Sequence, residues 1–297
     1  MSTGNKVNAR TTIADLVEIH GADENDFFQP GQPPQAQTES VTAATGNAAV
    51  LELLLKQDML VPGSRLGPGF SDEYRRIKRP LLSNAFGKSA SLVERGNLIM
   101  VTSSIPREGK TYTAVNLALS IAQELDHTVL LIDCDVTRQG ASRMLGLDGQ
   151  AGLVDLLENE NLDVGDVMLR TDIPQFSVLS AGKQHEYVTE LLASQRMAGL
   201  IDEIATRYDD RIIIIDGPPL LPTPETQVLA GLAGQIVFVI EAGKTTQAVV
   251  EDALELIPKE KAAGVVMNKS EGVFERSGYY YGYYGAGQEK SKNSSKR

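Results

Sequence analysis

The residues Ser104-Ile105-Pro106-Arg107-Glu108-Gly109-Lys110-Thr111 have the types and order of a loop that grips phosphate. Small and proline residues ending in Gly-Lys-Thr, ahead of a helix, turn backbone N–H groups and the helix N-terminus toward an anion. Lys110 then reaches the terminal phosphates of a nucleotide, the Thr111 hydroxyl coordinates Mg²⁺, and Tyr112 closes the contact segment. Ser104 stands where the strict Gly-x-x-x-x-Gly-Lys-[Ser/Thr] pattern has its first glycine.

Three aspartates complete the chemistry. Val129-Leu130-Leu131-Ile132-Asp133 and Ile212-Ile213-Ile214-Ile215-Asp216 each put a carboxylate at the C-terminal end of an apolar strand, and Asp135 follows two residues after Asp133. In an open parallel sheet that edge is where ligands bind. A carboxylate there holds Mg²⁺ directly or through water, or takes a proton from an attacking nucleophile. Alone, each merely ends a strand; three beside a Gly-Lys-Thr loop are far more specific.

An acceptor for the phosphoryl group stands near the other end. Tyr279, Tyr280, Tyr281, Tyr283 and Tyr284 are five of the chain's nine tyrosines. A phenol with a pKa of roughly 10 must lose its proton during transfer, so a base and close positioning are required. Residues 269–278, fully extended, reach at most about 35 Å, which lets the cluster enter a neighbouring subunit's site. Donor and acceptor on one chain suggest a kinase that phosphorylates itself.

The elements that must position these groups follow from the apolar pattern. β-Branched runs at Leu98–Thr102, Thr128–Ile132, Phe176–Leu179, Ile212–Ile215, Gln235–Ile240 and Gly264–Met267 alternate with helical stretches. One of these is Thr111–Leu125, with Ala114, Val115, Leu117, Ala118, Ile121, Ala122 and Leu125 on one face. The predicted fold is α/β, P-loop NTPase-like, with a parallel sheet covered by helices on both faces. Residues 1–48, rich in Gln, Pro and Gly, read as a disordered arm. Residues 49–97 read as an N-terminal helical segment, with a short helix at Ala48–Leu60 and another capped by Ser71 and stopped near Pro80. The catalytic domain spans 98–269 and a flexible tail 270–297.

Composition narrows the partners. The formal net charge of -11 argues against nucleic acid or an anionic membrane as a partner of the body. A single cysteine, Cys134, leaves no disulfide or cysteine-built metal site, and His20, His127 and His185 lack ligand spacing. No apolar run is long enough to cross a bilayer, and the polar start is no signal peptide.

The three motifs at Ser104–Thr111, Val129–Arg138 and Ile212–Pro219, with the terminal tyrosines, resemble the Walker A, A′ and B motifs of the bacterial tyrosine autokinases of exopolysaccharide synthesis. The wording from Glu73 to Phe86 is most similar to the exosortase-associated branch. The resemblance implies ATP and Mg²⁺ as cofactors, with catalytic roles for Lys110, Asp133, Asp135 and Asp216. It implies metal contacts from Thr111, Asp133 and Asp216 and nucleotide contacts from Ser104, Pro106, Arg107, Glu108, Gly109, Lys110, Thr111 and Tyr112. Asn268 resembles a residue that related ATPases set against adenine. Glu73, Arg76 and Arg79 resemble the family's ring-forming Glu-x-x-Arg-x-x-Arg, so a homo-oligomer is implied, with a transmembrane chain-length regulator as activator and a tyrosine phosphatase. The implied location is cytoplasmic, recruited to the inner face of the membrane through that partner. Three departures stand out: Arg107 in a glycine position, Thr137 in a basic one and Gln139 in a proline one. The alternatives are a regulatory ATPase of the partition or septum-positioning type, or a non-catalytic nucleotide-dependent adaptor. The first places a lysine where this chain has Ile105, and lacks the tyrosines.

Overall fold

The computed structural model describes residues 48–87 and 90–270. Apart from Ala48, the arm expected at 1–48 lies outside the described residues, as do Tyr279, Tyr280, Tyr281, Tyr283 and Tyr284.

Two helices lead into the sheet domain, α1 (Leu51–Lys56) and α2 (Pro68–Phe86). Next come β1 (Leu98–Ser103), α3 (Lys110–Ile121), β2 (Thr128–Asp133) and the short helices α4 (Gly140–Met144), α5 (Leu153–Glu158) and α6 (Val164–Val167). The strands β3 (Leu169–Arg170) and β4 (Phe176–Leu179) are followed by α7 (Val188–Leu192), α8 (Gln195–Thr206) and β5 (Arg211–Asp216). The last elements are α9 (Glu225–Leu232), β6 (Gln235–Glu241), α10 (Gln247–Leu254) and β7 (Ala262–Asn268).

The seven strands lie in the order β3-β4-β2-β5-β1-β6-β7. Every pairing is parallel except β3 with β4. Alternate side chains of one strand enter opposite cores. Ile99, Val101, Leu131 and Ile214 join the layer of α1, α2 and α3, while Met100, Ile132 and Ile215 join that of α8, α9 and α10. Strands buried on both faces need apolar residues at every position, which is why they read as continuous runs. The register sets Asp133 beside Asp216 and Val101 beside Asp216, so the three chemical loops leave one edge of the sheet together.

Three local expectations are corrected. The helix expected to start at Ser71 and stop near Pro80 runs from Pro68 to Phe86 with Pro80 inside it. Proline removes one N–H donor. Pro80 and Arg76 are both exposed, so the freed carbonyl lies on the solvent side of the helix, while Tyr74, Lys78 and Leu81 anchor the opposite face in the core. The helix expected over Thr111–Leu125 ends at Ile121, and Leu125 is 89% exposed. The helix expected over Ala48–Leu60 is shorter, six residues from Leu51 to Lys56. Asp172 caps it from the β3–β4 turn, its Oδ1 accepting from the N–H of Val50 (2.9 Å) and Leu51 (3.1 Å).

Candidate active site

The phosphate loop joins β1 to α3, and its shape is fixed from three sides. Beneath it, the segment after β5 zips onto β1 and the loop start: Gly217 N–H donates to Val101 O, Leu220 N–H to Ser103 O and Leu221 N–H to Ser104 O. Inside it, the buried Glu108 carboxylate accepts from Ile105 N–H at 2.8 Å and from the Thr245 hydroxyl. Outside it, the end of β7 leans on its backbone, with Asn268 Nδ2 donating to Glu108 O at 2.9 Å and Lys269 Nζ to Arg107 O at 2.7 Å.

Two loop residues are left-handed, Arg107 at φ +74° and Gly109 at φ +97°. Gly109 is required twice: its φ suits glycine, and a Cβ there would sit 2.0 Å from Asn268 Nδ2. Arg107 carries a side chain in a conformation that costs a non-glycine residue about 1–2 kcal/mol. This gives the departure noted in the sequence a physical form. Gln139 is a second case, at φ +50° with its N–H donating to Asp135 O and its Nε2 to Gly182 O. Proline, locked near φ -65° and without that N–H, cannot make this turn. Thr137 is exposed.

The four catalytic candidates come together. Lys110 Nζ lies 2.6 Å from Asp135 Oδ2, with under a tenth of either side chain exposed. Asp133 accepts from both the N–H (2.8 Å) and hydroxyl (2.7 Å) of Ser142, and from Asp135 N–H (3.2 Å). Burial pushes the Asp133 carboxyl up to about 6, with the Ser142 hydrogen bonds opposing. Asp216 is fully buried and neither of its oxygens has a hydrogen bond of normal geometry, the Thr111 hydroxyl being a donor close by. Burial pushes it up to about 8, offset in part by the Lys110 charge, and less so by Thr111, and reinforced by Asp133. A carboxylate sealed from water without such a bond is a costly arrangement unless a cation or proton joins it.

That orphaned pair of oxygens is the test of whether magnesium fits, and it does. The Thr111 hydroxyl lies close by, and Gly140 lacks the Cβ that would stand 2.9 Å from it. Among the described residues no cluster of three or more His, Cys, Asp or Glu side chains forms a ready-made cage. Magnesium shared with nucleotide phosphates needs only one or two protein ligands.

The remaining sequence candidates divide. Pro106 and Asp135 line a cleft of about 280 Å³ with Thr137, Arg138, Pro218 and Pro222. Ser104 is buried with its hydroxyl unpartnered, beneath the loop. The Tyr112 ring stands edge-on to Phe70, with 6.3 Å between ring centroids. Glu108 spends its carboxylate inside the loop. Asn268 uses one amide hydrogen on Glu108, which leaves its second hydrogen and its oxygen for a base. Glu73, Arg76 and Arg79 are exposed on α2, and none forms an ion pair among the described residues. Sequence reasoning missed Ser142, which orients Asp133 and in turn accepts from Ala181 N–H. No local signal marks it, because α4 must fold back before it meets Asp133.

A strand, a Gly-Lys-Thr loop opening a helix, and aspartates at the ends of two neighbouring parallel strands define a P-loop nucleotide-binding domain. The family profile described as AAA domain matches residues 99–262. The tyrosine-protein kinase YwqD of Bacillus subtilis is 32% identical over 217 residues, covering 72% of this chain and 86% of that protein. The succinoglycan biosynthesis transport protein ExoP of Rhizobium meliloti is 33% identical over 178 residues, 59% of this chain but only 22% of that protein. The crystal structure of the VpsO kinase domain superposes with a TM-score of 0.54 at 30% identity, covering 66% of this chain and 98% of that one. The chain belongs to the bacterial tyrosine-protein kinase family. The partition or septum-positioning alternative is not favoured.

Proposed function

We propose that this kinase transfers the γ-phosphoryl group of ATP to Tyr279, Tyr280, Tyr281, Tyr283 and Tyr284 of a neighbouring copy, and so regulates exopolysaccharide synthesis and export. The observation that carries the reading is the Lys110–Asp135 pair, set at the foot of the loop with Asp135 lining an open cleft.

The loop N–H groups and Lys110 bind the phosphates and hold the γ-phosphorus in place. Once Lys110 turns to the phosphates, Asp135 loses its partner and is the carboxylate that faces the cleft. Asp133, saturated by Ser142 and Asp135 N–H, is the poorer base. The phenol oxygen forms its bond to phosphorus as the bond from phosphorus to the bridging oxygen of ADP breaks, and the phenol proton passes to Asp135. Thr111 and Asp216, with Asp133 beside them, would hold magnesium, which would supply positive charge to the phosphate oxygens. A ring built through Glu73, Arg76 and Arg79 supplies the neighbouring tyrosines.

Among the described residues no helix is long and apolar enough to cross a membrane. The activator in this reading is a transmembrane chain-length regulator that recruits the kinase to the cytoplasmic face, with a tyrosine phosphatase resetting it. The name of the Rhizobium relative supports the polysaccharide setting. The test mixes intact protein, MgATP and the activator's cytoplasmic peptide, then maps mass on the 279–284 peptide. No added phosphate on a protein that binds MgATP sinks the reading. Mixing wild type with a tagged Lys110→Met copy decides the route, because only transfer between subunits marks the inactive copy.

A further inference from the structure

Among the described residues, the last two that contact the phosphate loop are consecutive, Asn268 closing β7 and Lys269 following it. They hold consecutive loop carbonyls: Asn268 Nδ2 on Glu108 O at 2.9 Å and Lys269 Nζ on Arg107 O at 2.7 Å. Lys269 is itself fixed by Glu241 Oε2 at 3.1 Å. No peptide bond among the described residues is cis. In a trans unit the C=O and the next residue's N–H point in opposite directions. The carbonyls of Arg107 and Glu108 share their units with the N–H groups of Glu108 and Gly109. Drawing both carbonyls toward β7 therefore turns both N–H groups the other way, away from the strand that holds the loop.

Arg107 needs such a hold. It is left-handed at φ +74° with a Cβ, a conformation that glycine adopts freely and other residues resist. The ammonium of Lys269 supplies a charge-assisted hydrogen bond to the carbonyl of that strained residue. Lys269 is left-handed too, at φ +56°, which brings its side chain back over the loop instead of continuing the strand. The contact at Gly109 is equally close, since a Cβ there would overlap Asn268.

We propose that Asn268 and Lys269 are positioning residues of the phosphotransfer site, which keep the Glu108 and Gly109 N–H groups turned into the phosphate cradle. Lys269 compensates in particular for an arginine in a glycine position. This rests on the nucleotide reading of the loop. Neither residue touches the reacting atoms in this role, and nothing in the motif pattern assigns one to Lys269.

The experiment is a double-mutant cycle on the intact chain, read as MgADP affinity with a fluorescent analogue and as KM for ATP. Lys269→Ala is expected to weaken MgADP about tenfold, about 1.4 kcal/mol. Lys269→Arg, which restores a cationic donor, is expected to recover most of the loss. In the Arg107→Gly background, where no side chain resists the left-handed backbone, Lys269→Ala is expected to cost no more than about threefold. A Lys269→Ala protein that unfolds cooperatively like wild type but binds MgADP within about twofold of it overturns the proposal. The same tenfold loss in both backgrounds also overturns it, because Lys269 then acts by charge alone. If wild type fails to bind MgADP at all, the nucleotide reading has failed first, and the two failures are told apart.

Discussion

The Lys110 ammonium and the Asp135 carboxylate face each other at 2.6 Å, both nearly sealed from water. The partner that stabilises Lys110 is thus the group proposed to take the phenol proton. In the proposed reaction nucleotide entry separates them, since phosphate oxygens compete for the same ammonium. Asp135→Asn removes a base and an anion near the phosphates while keeping the shape. Phosphoryl transfer is expected to fall by about 10² to 10⁴. MgADP affinity should hold or improve, as Lys110 no longer has to leave a carboxylate. Single-turnover transfer and nucleotide titration on the same preparation check both halves. The variant should also melt lower without nucleotide, because a buried ammonium has lost its counter-charge.

Asp216 gives a pH signature in the metal-free protein. Burial raises its folded-state value from 3.8 to about 8, so the folded chain holds a proton that the unfolded chain releases between those values. Its contribution to stability is full below the ordinary value and is lost as pH rises through about 8. Asp133, raised to about 6, adds to the decline in the lower part of that window. Metal-free protein should therefore melt at falling temperature from pH 5 to pH 8, whereas MgATP should flatten the slope. Asp216→Asn, neutral at every pH, is expected to gain stability on the order of 1–2 kcal/mol at pH 8 while losing transfer. A melting temperature unchanged by that substitution at pH 8 refutes the account.

Much of this site was legible because its chemistry is carried by runs. The six expected strands are all present to within two residues at either end; five are largely buried and cannot hide their apolar character, whereas β7, at the sheet edge, is mostly exposed and is read from its β-branched run alone. The loop, Asp133, Asp135 and Asp216 follow from strand ends, and the parallel register delivers them to one edge. What was not legible depends on tertiary contact. The antiparallel β3 has two residues and no period to read. Pro80 reads as a helix stop in the sequence, yet the buried face through Tyr74, Lys78 and Leu81 outweighs one missing hydrogen bond. Leu125 matched the helical face in spacing, but α3 ends a turn earlier. Ser142 orients Asp133 from nine residues away, and only the fold of α4 reveals it.

Lys78 separates a structural charge on α2 from its solvated neighbours. Its Nζ donates to Ser120 O at 2.6 Å and pairs with Glu124 at 2.5 Å, with 7% of the side chain exposed. The ammonium thereby fastens α2 to the last turn of α3, where free carbonyls favour a cation. Lys78→Met keeps the apolar stem but leaves Ser120 O without that donor, and is expected to cost about 1–3 kcal/mol. Arg79→Met, one residue along on the exposed face, is expected to stay within about 0.5 kcal/mol. Urea denaturation of both variants makes the comparison.

Arg76 and its neighbours on the outer face of α2 have the opposite surroundings. Tyr74, Lys78 and Leu81 take the inward positions, which leaves Glu73, Arg76 and Arg79 exposed along one side with no ion-pair partner among the described residues. Since surface charges add little to the fold, Arg76→Glu should leave the melting temperature near wild type. If these residues join copies, that variant sediments as a monomer at concentrations where wild type assembles, and it no longer transfers phosphate to a second copy. Phosphorylation should act in the same direction. Five phosphotyrosines add on the order of -8 to -10 charge to a chain already at -11, and like charges repel across an interface. Wild-type mass should fall toward the monomer after incubation with MgATP and recover on phosphatase treatment, while the Lys110→Met protein keeps its assembly in ATP. A wild-type assembly whose mass is indifferent to phosphorylation refutes the release mechanism. A fully assembled Arg76→Glu protein refutes the role given to α2.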